Sequence, residues 1–342
     1  MSREPQFLRV AASGATDIGG QREHNEDTVL VRSDLCLYVV ADGAGGHNAG
    51  NVASALATSA LANAYESGAA RFVSGGEGDL LGPPLARRLA AAVHHANREI
   101  VDIAKSSNKY RGMGTTVVAV CFSPKTCELP IAHVGDSRCY RLRGGDLEQL
   151  THDHSLFNDV LEMRPDIDNA TLSRLPRHVI TRALGMEETV RVSVRTHIVA
   201  LGDRFLLCSD GITDTLDDDV IAHTLGLPGK TPESIVRALI DAALEAGADD
   251  NIAALVLFAE KGDDGAVQPT RRHAPVLPVA VPSLGVRESR GSAPEIIIMN
   301  VEELDEDDPT ITVVPSYGAS ATLTDAFAGL RMRKPGRSNP GD

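Results

Sequence analysis

The sequence predicts β-sheets covered by helices, and the order of its apolar segments is what predicts it. Short β-rich runs come first, then two amphipathic helices, a second block of runs, two more helices and a closing apolar strand. Sheets and helices in that order bury their apolar faces against one another in layers. The pattern leaves several α/β layouts open.

Taken in order, Leu35–Ala41 is short, β-rich and ends at Asp42-Gly43, a buried strand running into a tight turn. Val52, Leu56, Ala60 and Ala64 then recur every four residues along one helix face. A second helix follows Pro84, with Leu85, Leu89, Ala92, Val93, Ala96, Ile100 and Ile103 at helical spacing. Thr115–Phe122, Leu129–Val134 and Cys139–Leu142 read as strands, and Arg143-Gly144-Gly145-Asp146 as a hairpin turn returning into Leu147–Leu150. Thr151–Leu184 is more polar and irregular. Val190–Val199 and Phe205–Cys208 read as strands, Asp217–Leu225 and Pro232–Ala246 as helices. The second helix has Thr231 as N-cap, Pro232 in its first turn and Gly247 past its end. Ile252–Phe258 closes the series.

Composition narrows the function. The chain has 342 residues, 42% hydrophobic and 23% charged, which is ordinary for a globular protein with a sizeable core. A net charge of −14 argues against phosphate-neutralising nucleic-acid binding and favours cationic segments or divalent metals as partners. Cys36, Cys121, Cys127, Cys139 and Cys208 are odd in number and lack zinc-type spacing, so they are expected as buried free thiols in a reducing compartment. Neither a signal peptide nor an apolar membrane span is expected, and the protein is placed in the cytoplasm. Beyond Lys261 the composition turns to Pro, Gly and Ser with an acidic cluster, Val301–Asp308. The organisation expected is therefore a folded domain over 7–260 and a largely disordered tail over 261–342. Two islands, Glu295–Val301 and Thr310–Val314, look like β segments able to pair with a sheet edge.

Five short motifs set carboxylates where strands meet turns: Arg22-Glu23-His24-Asn25-Glu26-Asp27, Asp42-Gly43-Ala44, Gly135-Asp136-Ser137-Arg138, Ser209-Asp210-Gly211 and Asp249-Asp250-Asn251. A charge at the end of a buried strand needs compensation, and hard divalent ions with oxygen ligands supply it. Glycine after Asp42 lets a backbone carbonyl approach as a further ligand. Any single Asp-Gly is a turn signal far more often than a ligand.

Together with TDIGGQREHNED, VVADGAGGHNAGNVAS, MGTTVVAV, HVGDSRCYRL, LTHDHSL, VITRALG, LLCSDGITD and DDNIAALVL, these motifs resemble the bacterial metal-dependent type 2C (PPM) serine/threonine protein phosphatases across about Ala12–Phe258. The resemblance implies an α+β fold, a four-layer αββα sandwich with a central pair of mainly antiparallel sheets and metals at one end. It implies hydrolysis of phosphoserine and phosphothreonine by a water held between two Mn²⁺ or Mg²⁺ ions, in opposition to a Ser/Thr kinase. Asp42 would bridge the metals, with the Gly43 carbonyl on one. Asp210 and Asp250 would complete the first metal, and Asp27 the second, with Glu26 acting directly or through water. Arg22 would grip the phosphate, and Asp136 with Asp210 would share a third metal. Ala44 stands where relatives of eukaryotic type carry histidine, which leaves the proton donor open, with His47 a candidate and His24 a weaker one. Thr151–Leu184 corresponds to a mobile flap beside the site; it reads substrate charge or is simply a solvated loop. Thr310 and Thr312, after the acidic cluster, resemble a phosphothreonine docking site, with a solvating linker as the plainer reading. A catalytically inactive binding module on the same fold would be expected to lack a metal aspartate, and none is missing.

Overall fold

In a computed structural model of the chain, the described residues are 8–45, 49–67, 83–172, 174–176, 178–262, 298–299 and 314–315. Two five-strand paths dominate. One sheet runs in the order β1 (Leu8–Asp17), β11 (Ile252–Lys261), β10 (Arg204–Cys208), β7 (Arg138–Arg143), β8 (Asp146–Gln149). The other runs β2 (Asp27–Arg32), β3 (Leu37–Ala44), β5 (Val117–Cys121), β6 (Glu128–Val134), β9 (Ser193–Ile198), with the two-residue β4 (Gly114–Thr115) paired to the end of β3. Every pairing in both is antiparallel.

Burial gives the layers. Val118, Val120, Leu129 and Ile131 of one sheet meet Phe205, Leu207, Leu255 and Leu257 of the other in the central core. The alternate residues Val117, Ala119, Cys121 and Val134 face out onto α1 (Gly50–Ser67) and α2 (Pro84–Ser106). Leu206, Cys208, Ala254 and Val256 face α5 (Asp210–Thr213), α6 (Asp218–Gly226) and α7 (Pro232–Glu245). This is the expected αββα sandwich. Because both faces of each sheet are covered, the strands carry unbroken apolar runs rather than apolar–polar alternation.

Local chemistry sets the ends of these elements. Thr231 caps α7, its hydroxyl accepting from Ser234 N at 3.3 Å while Ser234 Oγ accepts from Thr231 N at 3.0 Å, and Gly247 follows the helix at φ +89°. The single strand expected over Thr115–Phe122 is split at Thr116, whose amide and hydroxyl both turn to the backbone of Asp42. The strand expected over Val190–Val199 is confined to Ser193–Ile198. Two further strands, β1 and β2, lie where no strand was foreseen. Between β8 and β9 the chain forms the long excursion expected as a flap, with α3 (Leu156–Met163) and α4 (Asn169–Leu172). Asn97 of α2 pins its return, accepting from Gly185 N at 2.8 Å and donating to Glu187 O at 2.9 Å.

The chain divides into two units, 1–295 and 296–342. In the second, Ile298–Met299 and Val314–Pro315, within and beside the two islands read as β segments, pair in parallel with each other. Thr310, Thr312 and the acidic cluster lie outside the described residues.

Leu255 is fully buried between the sheets. Leu255→Ala is expected to cost about 2–5 kcal/mol, read as a lower urea midpoint at unchanged slope.

Candidate metal centre

The two sheets bring their acidic turns to one end of the sandwich. Asp27, at the start of β2, is paired in register with Asp42 near the end of β3. Asp136 occupies the β6–β7 turn, Asp210 follows β10 as the first residue of α5, and Asp250 lies two residues before the start of β11. Ser209 stitches the sheets together there: its hydroxyl donates to Asp27 Oδ2 at 2.7 Å and accepts from Ala253 N at 2.9 Å.

The backbone around Asp42 is held from several sides. Its amide donates to Thr116 Oγ1 at 3.1 Å, and its carbonyl accepts from Thr115 Oγ1 at 2.7 Å and Thr116 N at 2.8 Å. Thr116 Oγ1 in turn meets Ser137 Oγ, beside Asp136, at 2.7 Å. Gly43 passes so close to α1 that a Cβ there would lie 2.1 Å from Gly50 O and 2.7 Å from Glu26 O. Only glycine fits that approach. Asn251 braces the opposite wall: its side-chain amide donates to Ile18 O at 2.9 Å and His24 O at 3.0 Å, and its oxygen accepts from Glu26 N at 2.8 Å.

These carboxylates raise one another's proton affinity. Burial, then Asp210 and Asp250, push Asp27 up to about 7. Burial and the Asp210 charge bring Asp136 to about 7, and burial with Asp250 and Asp214 brings Asp210 to about 6. Asp42 is driven well above the carboxylate range by burial, then by Asp27 and Asp210. Asp136 responds to Asp210, Asp153 and Asp214 and so sits on the Asp210 side of the cluster. Glu26 is raised by desolvation, with its carboxylate against the first residue of α1, Gly50.

Arg22 and Asp250 lie together but are bonded to each other, Nη2 to Oδ2 at 2.7 Å. The pair is nearly half-exposed on both sides, so opening it costs little. His24 contributes its carbonyl to Asn251, and His47 lies outside the described residues. On the flap side, His178 pairs with Asp214 at 3.2 Å.

The donor set fits a hard divalent cation. Asp27 Oδ1 is buried without a hydrogen-bond partner, a costly state that an ion relieves. No three His, Cys, Asp or Glu side chains among the described residues close into a ready cage. Ions of the Mg²⁺ kind do not need one, since they bind through one or two carboxylates and keep several waters.

A family profile described as protein phosphatase 2C matches residues 20–227. The chain belongs to the protein phosphatase 2C family. The serine/threonine protein phosphatase PstP of Mycobacterium tuberculosis is 36% identical over 269 residues, 79% of this chain and 48% of that protein. This family member thus spans about half the length of that relative. The serine/threonine phosphatase Stp of Listeria monocytogenes is 33% identical over 255 residues, covering 73% of this chain and 97% of Stp. A solved structure of the PstP catalytic domain in complex with two manganese ions superposes with a TM-score of 0.60 at 33% identity, over 74% of this chain and all of that one (100%).

Motif reading singled out the acidic residues but gave no role to the neutral side chains that hold them, Thr115, Thr116, Ser137, Ser209 and Asn251. All five lie within the quoted motifs, and for Ser137, Ser209 and Asn251 the available signal was a small hydroxyl or amide next to an aspartate.

The raised carboxylates give the metal-free protein a definite pH dependence. Their unfolded values lie near 4, so their contribution to stability is intact below that pH and is lost as pH rises through about 6–7. The chelator-treated chain is expected to melt at lower temperature at pH 8 than at pH 5, with Asp27→Asn narrowing the difference and added Mn²⁺ reversing it at pH 8. A separate measurement tests the bracing: Asn251→Ala is expected to cost about 1–3 kcal/mol by denaturant unfolding, since it orphans two carbonyls and an amide.

Proposed function

We propose that the chain hydrolyses phosphoserine and phosphothreonine in proteins, with divalent ions, Mn²⁺ or Mg²⁺, seated among the strand-end carboxylates. The observation that carries this is the meeting of Asp27, Asp42, Asp136, Asp210 and Asp250 at one sandwich end, with Asp27 Oδ1 buried and unpartnered.

In this reading Asp42 would be a ligand shared by two ions, and the Gly43 carbonyl a ligand to one. Asp210 and Asp250 would serve the first ion, Asp27 the second, and Asp136 with Asp210 a third. Glu26, turned toward Gly50, supports the Asp27 side. When bound, the ions supply Lewis acidity and a nucleophilic water at neutral pH. The protein's own part is positioning and electrostatics, which dominate phosphoryl transfer. Thr115 and Thr116 fix the Asp42 backbone, Ser209 aims the Asp27 carboxylate, and Asn251 ties the 18–26 loop to β11. Arg22 presents a fork suited to phosphate once it leaves Asp250.

Residues 7–260 form the catalytic domain in this reading and 261–342 the tail. The substrates we infer are proteins phosphorylated by a Ser/Thr kinase, with cationic flanks favoured by the net charge of −14. Phosphorylated Thr310 or Thr312 would give the tail a means of docking a phosphothreonine-binding domain. The setting is cytoplasmic and reducing: all five cysteines are free. No helix among the described residues is long and apolar enough to cross a membrane.

The test is Mn²⁺-dependent phosphate release from a phosphothreonine peptide. Asp42→Asn and Asp210→Asn are each expected to lower kcat by more than about 100-fold, beyond the range typical of partners outside the ligand set. Arg22→Ala is expected to raise KM about tenfold or more, the worth of a charged hydrogen bond to phosphate. Absence of turnover by folded, metal-loaded wild type would transfer the reading to an inactive binding module.

A further inference from the structure

The flap leaves the sandwich after β8 and returns at β9, and one buried side chain touches both ends of that excursion. His154 lies five residues beyond the end of β8 and is 4% exposed. Its Nδ1 accepts from Gly135 N at 3.1 Å, so that nitrogen carries no proton. Nε2 therefore holds the proton and donates to Ser193 Oγ, the first residue of β9, at 2.8 Å. The backbone of the same residue donates to Gly135 O at 3.0 Å and accepts from Thr181 N, on the returning segment of the flap, at 2.9 Å. The ring is stacked on His133 of β6, with centroids 4.6 Å apart and planes 9° from parallel, and His133 Nε2 bonds His152 O at 2.8 Å.

The turn on the receiving side is stiff. Gly135 sits at φ +102°, and a Cβ there would lie 2.7 Å from the Thr116 side chain. Its successor is Asp136, and Thr116, which it presses, holds the Asp42 amide. A turn so constrained is a fixed support on which His154 docks. Flap neck, Asp136 turn and Asp42 backbone form one connected set of contacts.

We propose that His154 is a positioning residue, a neutral latch that closes the neck of the flap on Ser193 and fixes the flap to the Gly135–Asp136 turn. It touches neither substrate nor the reacting atoms. Its effect is to hold the flap in the orientation in which a phosphorylated polypeptide is read. This rests on the phosphatase reading for its kinetic consequence and on geometry alone for the latch.

The experiment uses the full chain and three variants. His154→Phe keeps the stack and removes both ring hydrogen bonds. His154→Asn places an amide oxygen where Nδ1 stood and gives up the Ser193 bond together with the His133 stack, and Ser193→Ala removes that bond alone from the other side. In metal-free protein, hydrogen exchange at the Gly135 amide is expected to quicken about tenfold in His154→Phe, one lost hydrogen bond, and to stay near wild type in the other two. With Mn²⁺, KM for a phosphothreonine peptide is expected to rise about tenfold in His154→Phe, while kcat/KM for p-nitrophenyl phosphate stays within about twofold. His154→Asn and Ser193→Ala are each expected at an intermediate KM. Unchanged Gly135 exchange in His154→Phe overturns the latch. So does a parallel fall on peptide and p-nitrophenyl phosphate, which marks a general folding role. If His154→Phe does not fold, a wild-type KM for the peptide in Ser193→Ala overturns it equally. Wild type inactive on both substrates would refute the phosphatase reading while leaving the exchange result to decide the latch.

Discussion

Five carboxylates share one end of this sandwich, and their mutual repulsion in a partly desolvated pocket is the constraint to which the surrounding structure answers. Like charges at short range in such a medium cannot all ionise without a counter-charge, and the high proton affinities of Asp27, Asp42, Asp136 and Asp210 express that conflict. A structure that placed them there only for stability would be poorly built, since apolar residues at the same strand ends would cost less. The arrangement makes sense when a cation is part of the folded state.

Tension of this kind requires bracing, and the bracing is backbone-directed. Thr115 and Thr116 hold the main chain of Asp42, Ser209 spans the sheets to Asp27, and Asn251 gathers two carbonyls and an amide of the 18–26 loop. Small neutral groups suit this task because they fix a carboxylate without neutralising it. Arginine or lysine there would stabilise the metal-free protein and compete with the ion. Among the described residues, Arg22 reaches the cluster and pairs with Asp250 at its solvent-exposed rim, where the bond is weak.

Much of this was legible in the sequence, and the gaps have physical causes. The buried strands β3, β5, β10 and β11 announced themselves because both their faces are covered, which turns them into unbroken apolar runs, and in β3, β10 and β11 the run ends near an Asp or starts shortly after one. Strand β1 did not: Leu8–Asp17 is rich in Ala, Ser and Gly, lies at a sheet edge and is mostly half-buried. Gly14 is part of that disguise, since its missing Cβ makes room for Val29, which a Cβ would approach to 2.5 Å. Strand β2 begins at Asp27 and ends at Arg32 and carries a single fully apolar stretch between them. The break at Thr116 depends on a partner 74 residues away, which no local pattern encodes. The ion pair of Arg22 with Asp250, 228 residues apart, is likewise a product of the closed sandwich.

That ion pair also bears on how the site discriminates. Arg22 and Asp250 neutralise each other at the rim, and a divalent ion on Asp250 and an anion on Arg22 each remove one partner from the other. Binding of either therefore lowers the cost of binding the second, because the rim pair has to be broken only once. Such coupling is reciprocal by thermodynamic necessity. An exposed pair sets its size at no more than about 1 kcal/mol, enough to favour an anion arriving at a metal-loaded site over one arriving at an empty site by several-fold. The charge of the whole chain works in the same direction. At −14 it repels free phosphate and small anions, and it tolerates a phosphate best when cationic residues on the same polypeptide accompany it. Under the proposed phosphatase reading, rim pair and net charge would together favour a phosphate that arrives embedded in protein.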